Sequence, residues 1–214
     1  MNKIELPIQQ ANKYYSYSQY KSMVADLFEQ NLVTGPNQIE SLLNSTKMSI
    51  QRMKKWDKII KVSEGIKSNL ELIEDNWTWY VITEGWCGDA AQIVPVLSKI
   101  AEQSEKLELK LLLRDENQDL MSNYLTNGGM AIPVLVAVNN ITGEEMPHWG
   151  PRPEEIKKRL ANFIQNNPNM SKSEISRELH LWYAKDKGIS VQNDILELIQ
   201  KHMVPAHQKL HKVG

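Results

Sequence analysis

Cysteine is nearly absent from this chain. Cys87 is the only one in 214 residues, which excludes an intramolecular disulfide and any cysteine-rich metal site. A dominant charge sign is also absent. Twenty-five basic and 26 acidic residues leave a net charge of -1, so bulk electrostatics favour neither nucleic acid nor an anionic membrane. No apolar run is long enough to span a bilayer, and the opening Met1-Asn2-Lys3-Ile4-Glu5-Leu6-Pro7 lacks an apolar signal core. There is no glycine-rich phosphate loop and no serine or carboxylate constellation of characteristic spacing. The expectation is a cytoplasmic protein with neither nucleic acid nor membrane as partner. Large apolar side chains, in contrast, are plentiful. Nine methionines and six tryptophans suit a core or a sticky groove equally well.

Patterning divides the chain into a helical stretch (1–72), an alternating strand–helix segment (73–166) and a second helical stretch (167–214). In the first, Ser18 is expected to cap a helix reaching about Leu32, with Gly35-Pro36 as its stop. A short helix is expected over Asn37 to Leu43. A longer one, Thr46 to about Val62, would bury Met48, Met53, Trp56, Ile59 and Ile60 and leave Lys47, Arg52, Lys54, Lys55 and Lys58 in solvent. In the second, strands are expected over Trp77–Thr83, Leu107–Leu113 and Ile132–Val138, with Trp77 and Trp79 in the core. Helices are expected over Ala90–Ser104, kinked at Pro95, over Asp119–Leu125 and over Glu154–Gln165; Glu144–His148 reads as a short edge strand. In the third, Ser171 and Glu174 form a capping box for a helix to about Ala184. Asp186-Lys187-Gly188 breaks it, a further helix covers Val191–Met203, and the last nine residues read as frayed. The order implies an α/β fold with a mixed sheet and added terminal helices.

Cys87 lies in Thr83-Glu84-Gly85-Trp86-Cys87-Gly88-Asp89-Ala90, at the turn from strand to helix. There a sulfur lies near unpaired backbone N–H groups and the positive end of a helix dipole, which favours thiolate. Glu84 and Asp89 oppose that, and local charge leaves the ionisation undecided. A lone buried cysteine acting only as a small hydrophobe is the competing reading.

Trp86-Cys87-Gly88 after the first strand, Ile132-Pro133 opening a later one, Gly150 before the last helix and the element order together resemble the thioredoxin-like superfamily. The likeness covers roughly Leu72 to Asn166, with helical additions that resemble a bacterial thioredoxin-related branch. It implies a three-layer α/β/α fold, a cis peptide at Pro133 and an active cysteine at Cys87. It also implies a groove formed by Trp86, Gly88, Ile132, Pro133 and Trp149, with backbone hydrogen bonds available to an extended peptide. The departures are as informative. Ala90 stands where a resolving cysteine would complete Cys-x-x-Cys. Val81 stands where the family holds a buried carboxylate, and Leu111 where it holds the lysine that pairs with it. The expected chemistry is monothiol exchange at Cys87 with a protein or low-molecular-weight thiol or disulfide; the alternative is a redox-inactive peptide-binding module. No cofactor and no metal are expected. A cluster shared across a dimer, as in monothiol glutaredoxins, would need a motif after the cysteine that is missing here. His202, His207 and His211 lack a completing ligand and read as tail. His148 is a loop residue that could approach Cys87.

Overall fold

The computed structural model describes residues 7–11 and 13–210. It is a three-layer α/β/α arrangement around a mixed sheet of order β2-β1-β3, comprising β1 (Trp77–Thr83), β2 (Leu107–Leu113) and β3 (Val134–Asn139). β1 runs parallel to β2 and antiparallel to β3. All seven β1 residues are buried, Trp77 and Trp79 included, so helices must cover both faces of the central strand. Expected and observed bounds of β1 and β2 coincide. Residues 144–148 do not form a strand. Isolated bridges, Val138 with Glu145 and Leu135 with Trp149, bring that segment along β3, and Tyr15 bridges to Leu111 on the far edge.

The helices, in chain order, are α1 (Tyr17–Glu29), α2 (Glu40–Ile59), α3 (Glu64–Leu70), α4 (Ala90–Ala101), α5 (Gln118–Met121), α6 (Glu154–Asn166), α7 (Lys172–Asp186), α8 (Ile189–Leu198) and α9 (Ala206–Leu210); a π turn, Ile199–Met203, continues α8. The cap of α1 is Ser16, not Ser18, because Gln19 returns a hydrogen bond to the Ser16 backbone and completes a reciprocal box. Asn31 turns left-handed (φ 57°) and closes that end before Leu32. The two helices expected between Asn37 and Val62 are one. Ser45 and Thr46, read as a break, turn their hydroxyls back onto the Ser41 and Leu42 carbonyls and stay helical. Met53 and Trp56 are buried as expected, but Met48 and Ile59 are exposed and Arg52 is half-buried.

α4 is continuous through Pro95. The Ser171–Glu174 box caps α7 as expected, and α7 ends where Lys187 and Gly188 take positive φ. Residues 206–210 form a short helix, not a frayed tail, with His207 Nε2 2.7 Å from Glu74 Oε1. His211 lies outside the described residues. One contiguous apolar core draws on Tyr20 and Trp56's neighbour Met53, on the sheet, and on Tyr183, Val191 and Ile195. The terminal helices therefore share the core of the central segment. No helix is long and apolar enough to cross a membrane, among the described residues.

Candidate functional site around Cys87

β1 ends at Thr83 and the chain turns through Glu84-Gly85-Trp86-Cys87, with the Cys87 N–H donating to the Glu84 carbonyl at 3.0 Å. Gly85 packs so closely that a Cβ would lie 2.9 Å from Val24, and its N–H donates to Thr34 Oγ1 at 2.9 Å. This fixes the sulfur at the start of α4. Cys87 Sγ accepts the Ala90 N–H at 3.4 Å and donates to the Ile132 carbonyl at 3.4 Å. The next peptide, Ile132–Pro133, is cis. Gly150 backs it with φ 130°; a side chain there would collide with the Pro133 carbonyl.

Burial decides the ionisation that sequence left open. Cys87 is 8% exposed, and its thiol is pushed up to about 12, first by burial and next by Asp89. The Ala90 and Asp89 N–H groups and Arg152 pull the other way and lose. A helix start favours thiolate only when the sulfur keeps enough solvation to bear charge.

Of the expected groove residues, Gly88, Ile132 and Pro133 gather at the sulfur. Trp86 is half-buried, held by an Nε1 hydrogen bond to the Thr34 carbonyl at 3.2 Å and by Arg114 stacked 4.9 Å above its ring. Trp149 is buried and donates to Asp194 Oδ2 at 2.9 Å; the same carboxylate accepts the Glu154 N–H at the start of α6. It thus ties α8 to the β3 edge. His148 packs edge-on against Tyr124, ring centroids 5.7 Å apart.

Val81 and Leu111 are register partners on β1 and β2, both fully buried. Apolar side chains therefore occupy neighbouring positions where the resemblance implies an ion pair. A charge on either alone would have no partner.

Four polar residues at the site come from outside the motif. Asp89 is held by Arg152, with Nη2 2.7 Å from Oδ2, and by the Tyr183 hydroxyl at 2.8 Å. A Cβ on Gly88 would lie 2.9 Å from His180 Nε2 and 3.1 Å from an Arg52 guanidinium nitrogen. Arg52 is a correction to the expected solvated face of α2. It lies three residues after buried Ser49 and four before buried Trp56, so a guanidinium on the apolar stripe was the available signal. His180 and Tyr183 arrive from α7, 93 and 96 positions after Cys87, and nothing local marks them. A surface cleft of about 440 Å³ lined by Tyr17, Lys21, Asp57 and Ser98 shares none of these residues.

A family model described as Thioredoxin matches residues 35–178. Among solved structures, a protein of unknown function from Pseudomonas aeruginosa is similar at 16% identity, covering 87% of this chain and 98% of that one, with a TM-score of 0.52. An HIV epitope scaffold is similar at 15% identity with the same coverages and a TM-score of 0.50. At such identity these show the fold alone. No curated protein matches the sequence.

Proposed function

The chain belongs to the thioredoxin family, and from that premise we propose that it is a monothiol exchanger whose single nucleophile, Cys87, is protonated at rest. The observation that carries this is the position of Sγ, between the Ala90 N–H at the start of α4 and the Ile132 carbonyl beside Pro133. The thiol gives its proton to solvent, and the thiolate attacks one sulfur of a disulfide R–S–S–R. A Cys87–S–S–R bond forms, and RS⁻ leaves and takes up a proton. Ala90 has no sulfur to break that bond. An external thiol must therefore attack it, return Cys87 to the thiol and leave as the new disulfide. A shift from 9.0 to about 12 removes about three orders of magnitude of thiolate at neutral pH, and higher intrinsic nucleophilicity restores somewhat more than one. Exchange is then slower than that of free cysteine by between about one and two orders of magnitude.

Burial of Cys87 favours a second reading, a redox-silent binding module. Intact-mass measurement with oxidised glutathione separates the two. A monothiol exchanger gives one adduct on the native protein and none on Cys87→Ser. An adduct that forms only in denaturant overturns exchange and leaves the module.

A further inference from the structure

Arg52 and His180 meet at Gly88. Among the described residues, the half-buried Arg52 guanidinium has no hydrogen-bond or ion-pair partner. Asp89, the nearby carboxylate, is already engaged by Arg152 and Tyr183. The His180 tautomer follows from its neighbours. Trp56 Nε1 can only donate, and it donates to Gln92 Oε1. The Gln92 amide N–H therefore faces His180 Nδ1, 3.2 Å away, and Nδ1 accepts. In a neutral imidazole the proton is then on Nε2, the atom that lies against Gly88. His180 is neutral at physiological pH, because burial, Arg52 and Arg152 hold it down to about 4.

The charges around Gly88 do not cancel. Arg52 and Arg152 carry two positive charges, Asp89 carries one negative, and Cys87 and His180 are neutral. One positive charge and one imidazole N–H remain, both half-buried, against Gly88, the residue after Cys87. Arg52, Gly88, Asp89 and His180 are all partly exposed, whereas Cys87 is buried. A guanidinium and an adjacent N–H donor suit a carboxylate.

We propose that Arg52 and His180 Nε2–H bind a carboxylate of a small anionic thiol or disulfide, and so select the compound presented to Cys87. The substrate class rests on the exchange reading above; the anion site does not. Neither residue belongs to the strand–turn–helix that carries the cysteine. Arg52 comes from α2 and His180 from α7, so the selectivity belongs to the helical additions.

The test uses S-methylglutathione, a carboxylate-bearing thioether that cannot exchange, and titration calorimetry on the full chain. Wild type is expected to bind it, with affinity falling as salt rises. Arg52→Gln is expected to bind at least about tenfold more weakly, matching the loss of one charge-assisted contact. Arg52→Lys, which keeps the charge, is expected to fall between them. The diethyl ester, which lacks both carboxylates, is expected to bind wild type no better than Arg52→Gln binds the acid. Equal binding by wild type and Arg52→Gln, or none by wild type, overturns the site. Binding without any glutathione adduct keeps the site and rejects exchange. An adduct that forms equally fast in Arg52→Gln keeps exchange and rejects the site.

Discussion

Asp89, two residues after Cys87, is gripped by the Arg152 guanidinium and takes a further hydrogen bond from Tyr183. Glu84, three residues before Cys87, takes one backbone N–H from Asp115 at 2.8 Å and keeps its other oxygen buried without a partner. The same chemical group therefore has opposite fates within six residues. At Glu84 burial outweighs the hydrogen bonds and pushes the carboxyl up to about 7. The floor of the site suppresses charge, as Val81 and Leu111 do more completely, whereas the face at Gly88 keeps charge and pairs most of it. What separates the two sides is the supply of partners, Arg152 from the loop before α6 and Tyr183 from α7.

The sharpest way to break this contrast is to force charge into the floor. Val81→Asp is expected to cost at least about 4 kcal/mol in urea unfolding, since the carboxylate has no partner. Adding Leu111→Lys should recover about 1–3 kcal/mol of that. Strictly additive losses would show that these register partners cannot reproduce an ion pair.

The next effect is one of pH. From about pH 4.5 to 7 the folded state keeps a proton on Glu84 that the unfolded chain releases, so this group makes stability fall as pH rises. From about pH 4 to 6.5 the unfolded chain takes a proton that folded His180 refuses, so this group makes stability rise with pH. Moving Glu84 up to about 7 and His180 down to about 4 each corresponds to about 3 kcal/mol at most, and the two slopes oppose. Relative to wild type, Glu84→Gln should therefore gain stability as pH rises through its window, and His180→Gln should lose it. Parallel stability–pH curves for all three proteins would contradict the burial argument.

Asp89→Asn should cost about 2 kcal/mol, less than a fully buried pair because the Arg152 side chain is 31% exposed. A change within experimental error would mean that Arg152 finds another partner. Gly88→Ala is the smallest of the four. The atoms nearest its Cβ are the ends of two side chains, so a loss under about 1 kcal/mol is expected in the same assay. A loss above about 2 kcal/mol would mean that Arg52 and His180 cannot yield.

What the sequence made legible follows the range of the physics involved. β1 and β2 are dense runs of β-branched, aromatic and leucine residues between turns, and their bounds came out as expected. The Ser171–Glu174 box is a four-residue signal, legible without tertiary context. Three-state ambiguity entered where local signals compete. Ser45 and Thr46 are equally suited to breaking a helix or to bonding back along it, and only packing of α2 chooses. Helical periodicity identified an apolar stripe on α2 but placed it too far round, toward Met48 and Ile59. The position of Cys87 beside Pro133 was legible, because both belong to a motif. Its ionisation was not, because burial is set by segments far along the chain. Arg152, His180 and Tyr183 reach the site only through tertiary packing.

The grip of Tyr183 on Asp89 has a consequence for the order of synthesis. Residues are made from the N-terminus, so Arg52 and Cys87 emerge long before His180 and Tyr183. A nascent chain that has just completed β3 lacks both Arg152 and Tyr183, so the Asp89 carboxylate has neither of its side-chain partners. The last of them, the Tyr183 hydroxyl, reaches Asp89 only after α7 has left the ribosome.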